Sequence, residues 1–356
     1  MSTLHAASDP AAPARPIQSD SIRPVVAWAI FGAAWLALQL YTFAAWILGP
    51  NFVPAPTGTD PVPGLVMFWV RLFEVLSVAA TLAVGWWLWR TCKRDGRLSI
   101  EAIVAIAWTP LWWWDGVYNW PRTLFMYNAY FVNRGNWGAE IPGWVNPTGH
   151  LLAEPILFVG LMYFYIPVAI GAIVAAVLRR SKARWPSLGM AGLIAIGLAG
   201  CMTLDLLLEA IWVHTHLYAY SGTVHAWSLW GGTTHQFPVY EAVFWGSVWA
   251  STGFLLYFRD DRGRTVVERG LERVKATGTH TTLRILAVGG FFNAMFALYT
   301  AIMWFISFSM DATPAGYPSW LRTGQCGEGT QYECPGPRVP VSLPGSAPIP
   351  PFLGDN

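Results

Sequence analysis

The sequence predicts an all-α protein, a polytopic membrane bundle of about seven transmembrane helices. Of its 356 residues, 54% are hydrophobic and only 12% are charged, whereas charged residues make up about a quarter of an ordinary soluble domain. The 22 tryptophans and 13 tyrosines fit a chain that crosses the membrane interface many times, because amphipathic rings settle there. A net charge of +2 indicates no polyanionic partner such as a nucleic acid.

Seven stretches are long and apolar enough to cross a bilayer as helices, which takes about 20 residues because backbone groups in lipid must pair within the helix. The third is the weakest, since Pro110 interrupts it and Asp115 lies near its end. In chain order the predicted spans are Val25–Leu48, Leu65–Arg90, Ile100–Tyr118, Leu151–Leu178, Leu188–Val213, Val239–Phe258 and Leu283–Phe308.

The first span is expected to be a retained helix, because its apolar run is longer than the core of a cleaved signal peptide. The Ala-, Pro- and Ser-rich residues before it are predicted to be a disordered N-terminal tail (1–24), followed by the transmembrane domain (25–310). The remaining residues (311–356) are rich in Pro and Gly and are expected to form an extracytoplasmic tail.

Loop charges orient the predicted bundle. Three loops that connect alternate spans carry 15 of the 22 Lys and Arg residues: Arg90–Arg97, Arg179–Arg184 and Arg259–Arg284. The intervening loops carry only Arg122 and Arg134. The positive-inside rule therefore places the basic loops and the N-terminus in the cytoplasm and the C-terminus outside, in a multi-pass protein of the cell membrane.

Two familiar classes of membrane protein are excluded. All lysines, Lys93, Lys182 and Lys275, lie in predicted cytoplasmic loops, so no span offers a lysine for a retinal Schiff base. The sequence also has no Walker-type phosphate loop, which excludes an ATP-driven pump, and no Gly-x-Ser-x-Gly elbow.

Acidic residues inside the predicted spans gather near the outer face. Charged groups within spans are costly and usually mark a cavity, so we predict catalytic roles for them. For Glu154, which precedes Pro155, stabilising the start of a helix is the alternative role. The candidate catalytic residues are Asp115, Glu154, Asp205, Glu209 and Glu241.

Asp205 and Glu209 form the centre of this predicted site. They are four residues apart and share one helical face. Two carboxyl groups so close in a low dielectric do not readily ionise together, so one can serve as an acid and the other as a base. The alternative is that each caps a loop amide or bonds a neighbouring Trp or Asn.

Aromatic and amide side chains around the acids are candidates for substrate binding. Trp114 and Asn119 belong to the Trp-rich end of the third span, and Tyr127 and Asn128 follow it in the chain. Such residues suit a large, mostly apolar molecule that carries several oxygens. For most tryptophans of this region, anchoring at the membrane interface is the alternative.

Histidines and cysteines raise two further questions. His214, His216, His225 and His235 lie in or beside the loop between the fifth and sixth spans. We name His235 as a candidate contact to substrate. We predict no metal and no other cofactor, because the His spacing matches no metal motif. A metal-dependent oxidoreductase that uses these histidines is the alternative.

Cys326 and Cys334 are candidates for a disulfide in an oxidising exterior, or else two unpaired cysteines.

Three motifs resemble the AveC-like spirocyclases of actinobacteria: Trp113–Trp120, Gly149–Pro155 and Gln236–Ala242. The resemblance covers the second to seventh spans. It implies a membrane enzyme of polyketide biosynthesis, a cyclase and dehydratase that closes a dihydroxyketone to a spiroketal without a redox cofactor. The implied partners are a lipophilic small molecule and membrane lipid. A non-enzymatic protein that binds lipid or assists transport is the other alternative.

Overall fold

The computed structural model describes residues 24–337; most of the predicted N-terminal tail, and residues 338–356, lie outside the described residues. Helices dominate this part of the chain. The helices are α1 (Pro24–Leu48), α2 (Gly64–Asp95), α3 (Ile100–Trp108), α4 (Trp113–Val117), α5 (Leu161–Arg184), α6 (Met190–His214), α7 (Val239–Tyr257), α8 (His280–Ser307) and α9 (Ser319–Arg322). The strands are β1 (Phe125–Tyr127), β2 (Tyr218–Tyr220), β3 (Ser228–Leu229) and β4 (Phe237–Pro238).

Five segments of the described chain are long and apolar enough to cross a membrane, as expected of a membrane protein. They correspond to the first, second, fourth, fifth and seventh predicted spans: Pro24–Leu48, Gly64–Asp95, Ile156–Arg184, Met190–His214 and Thr277–Ser307. The sixth predicted span matches α7, a helix of 19 residues. α7 is not among the five, because Glu241 and several Ser, Thr, Gly, Trp and Tyr residues make it less apolar.

The third predicted span is not one continuous helix. α3 ends at Trp108, a 3-10 turn covers Thr109–Trp112, and the short helix α4 follows. Pro110 explains the break, because proline has no N–H to donate to the preceding turn and its ring clashes with that turn. The 3-10 turn therefore divides the expected membrane-spanning helix into two short helices. The second of them carries Asp115.

Glycines bring α1 and α8 into close contact. A Cβ atom at Gly32 would lie 2.0 Å from the carbonyl oxygen of Leu286, and one at Gly290 would lie 2.3 Å from that of Trp28. Helix pairs in membranes pack this way because small residues allow the backbones to approach. The α1–α8 pair therefore depends on the absence of side chains at these two positions.

α7 lies between α5 and α6 and is also packed through glycines. A Cβ at Gly246 would lie 2.8 Å from the Cα of Met202 on α6, and one at Gly253 would lie 2.2 Å from Val174 on α5. The first turn of α7, which carries Glu241, is thereby held between two long helices.

The two ends of the bundle differ. We call the end with the loops 96–99, 185–189 and 258–279 the basic end. The capped end is covered by the loops 118–155 and 215–238 and by the segment 308–337. There β1 pairs antiparallel with β2, and β3 with β4. These short ribbons are an addition to the expected all-α bundle. β1 and β2 form where aromatic residues alternate along the loops.

The segment after α8 packs onto the capped end. The Tyr317 hydroxyl donates to the carbonyl oxygen of Tyr220 at 2.6 Å, and the backbone N–H of Ala129 donates to the carbonyl oxygen of Trp320 at 2.8 Å. A disulfide joins Cys326 and Cys334, with an S–S distance of 2.02 Å. Residues 311–337 of the expected tail thus form part of the cap over the bundle.

Candidate active site

A small, buried cavity near the capped end collects three of the predicted acids. We call it the acid cavity; its volume is about 50 Å³ and Asp115, Glu209 and Glu241 line it. Six tyrosines share the lining: Tyr118, Tyr127, Tyr163, Tyr218, Tyr220 and Tyr299. The remaining aromatic walls are Trp114, Phe125, Phe158, Trp212, Trp245 and Phe296.

Tyrosine hydroxyls hold each of the three carboxyl groups. The Tyr220 hydroxyl donates to Glu209 Oε2 at 2.5 Å. Glu241 accepts two such bonds, from Tyr299 at 2.5 Å and from Tyr118 at 3.2 Å. A hydrogen bond to a carboxylate is about twice as strong as one between neutral groups, so these contacts fix the carboxyl orientations.

Asp115 is bound more loosely and keeps one oxygen free. The Tyr163 hydroxyl is 3.5 Å from Asp115 Oδ1, and Oδ2 is buried without a hydrogen-bond partner in the described chain. Behind it lies Glu154, whose Oε1 accepts a bond from Asn136 Nδ2 at 2.7 Å. Burial, and then the neighbouring Asp115 carboxyl, raises the pKa of Glu154 well above its usual range. The raised pKa favours the protonated form of Glu154, which can donate towards Asp115.

The ribbon of β1 and β2 forms the wall of the cavity at the capped end. Side chains two residues apart on a strand point to the same side, so Phe125 and Tyr127 face the cavity together, as do Tyr218 and Tyr220. In the antiparallel register Phe125 lies opposite Tyr220, and Tyr127 lies opposite Tyr218. The four rings therefore form one continuous aromatic surface.

Burial keeps the ribbon hydroxyls protonated. It is the largest cause that raises the pKa of Tyr220 well above its usual range, and the Glu209 carboxyl adds to the effect. The pKa of Tyr127 is raised in the same way, by burial first and then by Asp115. These hydroxyls are hydrogen-bond donors throughout the physiological pH range.

Asp205 lies outside the acid cavity, although Glu209 lines it. Four residues along α6 place Asp205 about 6 Å nearer the basic end. Its side chain is fully buried, and neither carboxyl oxygen has a hydrogen-bond partner in the described chain. The two residues share one face of α6, as the sequence predicts, but only Glu209 lines the acid cavity.

The other predicted substrate contacts divide into two groups. Trp114 and Tyr127 line the acid cavity, whereas Asn119, Asn128 and His235 do not. Asn119 Oδ1 accepts bonds from two backbone N–H groups of the turn before β1 at 2.7 and 3.2 Å. Asn128 Nδ2 donates to a backbone carbonyl beyond α6 at 3.0 Å, and His235 Nδ1 lies 3.4 Å from the carbonyl oxygen of Val213. These three side chains hold the loops of the capped end together.

Three of the four loop histidines form a cluster. The rings of His214 and His235 stack with their centroids 4.9 Å apart, and the His216 ring lies 4.6 Å from that of His235. Burial, followed by the two neighbouring rings, lowers the pKa of His216 to about 4. His225 lies beside Asp311 instead, with 3.7 Å between Nδ1 and Oδ2. Within residues 24–337, no three His, Cys, Asp or Glu side chains are placed to hold one metal ion.

Several lining residues were not predicted from the sequence. Tyr218 and Tyr220 carry a local signal, because two aromatic residues alternate there as in a short strand. Tyr163, Trp245 and Tyr299 carry none: each lies within an apolar helix, where an aromatic side chain ordinarily packs in the core. Only the packing of α5, α7 and α8 brings them to one cavity.

A family model described as Spirocyclase AveC-like matches residues 95–324 of the chain. The matched range contains α3 to α8 and every residue that lines the acid cavity. No match was found among curated proteins or among solved structures.

Proposed function

Since the chain belongs to the family of AveC-like spirocyclases, we propose that it is a membrane-embedded acid/base cyclase that closes a lipophilic dihydroxyketone to a spiroketal and releases water. The observation that carries the proposal is the set of three tyrosine-bonded carboxyl groups on one aromatic cavity. Both proton transfers and the cationic intermediate of this reaction require groups of these kinds. The reaction needs no redox cofactor.

In the proposed reaction Asp115, supported by protonated Glu154, gives a proton to the ketone oxygen. Glu209 takes the proton of the attacking hydroxyl, whose oxygen forms a bond to the former carbonyl carbon. Glu209 returns its proton to the resulting hemiketal hydroxyl, which leaves as water and produces an oxocarbenium ion. The second hydroxyl adds to this ion and gives its proton to Asp115, so one dihydroxyketone yields one spiroketal and one water and both residues regain their starting states.

The cavity walls suit the cationic intermediate. Aromatic faces attract a cation by roughly 0.5–2 kcal/mol each, more when the site is dry. Glu241 faces the same space and adds a negative charge at a fixed position when ionised, which stabilises a developing positive charge. The enclosure also keeps bulk water from adding to the ion before the second hydroxyl does.

The size of the acid cavity limits what it holds. Its volume of about 50 Å³ lies well below the ~300–1,000 Å³ of common ligand pockets. It accommodates the reacting carbonyl group and its nearest atoms, so the rest of a polyketide-sized substrate must lie elsewhere or displace side chains.

We further propose that the bundle makes seven crossings, with α3–α4 and α7 as inner crossings enclosed by the five membrane-length helices. The basic loops would then face the cytoplasm and the capped end the outside of the cell membrane. The disulfide between Cys326 and Cys334 in the cap fits an oxidising exterior. Reporter fusions after α2, α6 and α8 test this orientation, and a cytoplasmic reporter after α8 contradicts it.

A matched pair of variants on α6 tests the reaction. Glu209→Gln removes the proposed base, while Asp205→Asn removes an equally buried carboxyl group that lies off the cavity. The substrate is a symmetric dihydroxyketone that closes to two six-membered rings, supplied to the full chain in nanodiscs at neutral pH. We expect Glu209→Gln to lower turnover by about 100-fold or more, which is typical for loss of a general base, and Asp205→Asn to retain most of it.

The result also separates this enzyme from a protein that only binds lipophilic molecules. Turnover lost in Glu209→Gln with substrate binding retained supports the reaction. Equal turnover in the wild-type protein and Glu209→Gln contradicts it, and so does a wild-type protein that binds the ketone without accelerating closure.

A further inference from the structure

A second, larger cavity opens at the side of the bundle. It lies between α1, α3, α5 and α8, and its volume is about 610 Å³; we call it the lateral cavity. Its walls are mostly apolar and include Phe43, Ile106 and Leu286. Leu40 and Ile47 at its rim are 57% and 53% exposed. Because these side chains lie on membrane-length or adjacent helices, the cavity opens towards lipid.

One side-chain oxygen in this apolar cavity, Gln39 Oε1, lacks a hydrogen-bond donor in the described chain. Trp114 Nε1 is only a donor, so the atom of Asn293 that it contacts at 2.9 Å is the oxygen. Gln39 Nε2 donates to the same oxygen at 2.8 Å. This arrangement leaves Gln39 Oε1 turned away, fully buried, with no hydrogen bond in the described chain. A buried acceptor without a donor costs about 1–3 kcal/mol. A ligand that donates a hydrogen bond to Gln39 Oε1 would remove this cost.

The lateral cavity also contains an unpaired donor. Trp112 lines it, and its Nε1 is buried without an acceptor in the described chain. A hydroxyl group both donates and accepts, so a hydroxylated ligand can supply the donor that Gln39 Oε1 lacks and the acceptor that Trp112 Nε1 lacks. Gln39 lies nine residues before the end of α1 at Leu48, about 14 Å along the helix axis. A phospholipid head group does not lie at that depth, whereas a hydroxyl partway along an aliphatic chain does.

We infer that the lateral cavity binds a hydroxylated aliphatic chain that enters sideways from the bilayer. Resting on the proposed function, this chain is an arm of the substrate whose carbonyl group reaches the acid cavity. Trp114 connects the two spaces, because its ring lines the acid cavity while its Nε1 belongs to the Gln39–Asn293 network. The larger volume accounts for the part of the substrate that the acid cavity cannot hold.

Photolabelling of the full chain in nanodiscs tests the inference. The probe is a long aliphatic chain with a mid-chain hydroxyl and a diazirine, compared with its deoxy analogue. Gln39→Leu nearly keeps the side-chain volume and Trp112→Phe keeps an aromatic ring, and each removes one polar group. We expect either change to lower labelling by the alcohol about tenfold, the loss of one hydrogen bond of roughly 1.4 kcal/mol, and to leave labelling by the deoxy probe unchanged.

Thr300→Val is the matched control. Thr300 is on α8 and 1% exposed, its hydroxyl has no hydrogen bond in the described chain, and it lines neither cavity. Its alcohol labelling should equal that of the wild-type protein. Equal labelling of the wild-type protein by both probes would overturn the inference, because water or a lipid tail would then satisfy the site, and so would unchanged alcohol labelling in both cavity variants.

The readout is independent of turnover. Glu209→Gln should keep full alcohol labelling, since the acid cavity is not needed to hold the arm. A protein that labels as expected but closes no dihydroxyketone contradicts the proposed reaction and supports the site. A protein that turns over but labels without selectivity contradicts the site alone.

Discussion

The contact between α1 and α8 offers a prediction whose size follows from the coordinates. In Gly290→Ala the new Cβ would lie 2.3 Å from the carbonyl oxygen of Trp28 and 3.0 Å from the backbone nitrogen of Gly32. Both neighbours are backbone atoms, so no side-chain rotation relieves the clash. Ordinary contact begins at 3.4 Å, so α1 and α8 must separate by about 1 Å at this point, the difference between 3.4 and 2.3 Å.

Gly200→Ala on α6 is the matched control, because a Cβ there would meet no atom within 4 Å. Both changes gain about 1 kcal/mol of helix propensity, but only Gly290→Ala incurs the cost of overpacking, typically 1–3 kcal/mol. The difference between the two variants isolates the packing contribution. We therefore expect Gly290→Ala to be less stable than Gly200→Ala by about 1–3 kcal/mol.

Unfolding of the full chain by sodium dodecyl sulfate, followed by tryptophan fluorescence in mixed micelles, measures this difference. Both variants are compared with the wild-type protein under the same conditions. If Gly290→Ala is as stable as Gly200→Ala, the close approach of α1 and α8 does not exist as described, and the lateral cavity that both helices line loses its basis.

Three further predictions concern the site and the cap. Tyr299→Phe removes a hydrogen bond to Glu241, and we expect turnover to fall about tenfold, for a charge-assisted bond of roughly 1.5 kcal/mol or more. The free energy of unfolding should fall by about 1–3 kcal/mol, because buried Glu241 loses this donor. An unaltered rate would contradict the role of this contact. Glu154 has a raised pKa, so its contribution to stability is complete below its unfolded-state pKa and is lost as pH rises through the folded-state value. Glu154→Gln mimics the protonated form. The melting temperature should therefore fall less between pH 6 and pH 9 in the variant than in the wild-type protein. Mass spectrometry after alkylation without reductant should leave Cys326 and Cys334 unmodified, and modification of all four cysteines would contradict the disulfide.

Much of the framework follows from local sequence. Hydropathy predicted the five membrane-length helices. Most of their predicted ends lie within two residues of the ends in the structure, and the others lie within six. These predictions succeed because each long helix satisfies its own backbone hydrogen bonds and needs only about 20 apolar residues. The third predicted span, Ile100–Tyr118, is helical over 100–117 and is interrupted at Pro110, as its sequence predicts, because proline has no N–H to donate to the preceding turn.

The candidate site was only partly predictable. Acidic residues in apolar helices are costly, so Asp115, Glu209 and Glu241 stand out in the sequence. Tyr163 and Tyr299, which bond Asp115 and Glu241, do not, because an aromatic residue in an apolar helix is ordinary. Helical spacing correctly placed Asp205 and Glu209 on one face of α6. It could not show that only Glu209 lines the acid cavity, because the two side chains are one helical turn apart.

By itself the sequence determined that the chain is a membrane protein of the AveC-like spirocyclase type, with intramembrane acids that demand an enclosed polar environment. The tertiary structure alone decided which acids meet. Glu209, Glu241 and Asp115 come from α6, α7 and α4, and the tyrosines that bind them come from β2, α8 and α5 as well as from the end of α4. Contacts between residues so distant in the chain depend on how the helices pack, and that packing is set by glycine contacts and loop pairing that no local pattern specifies.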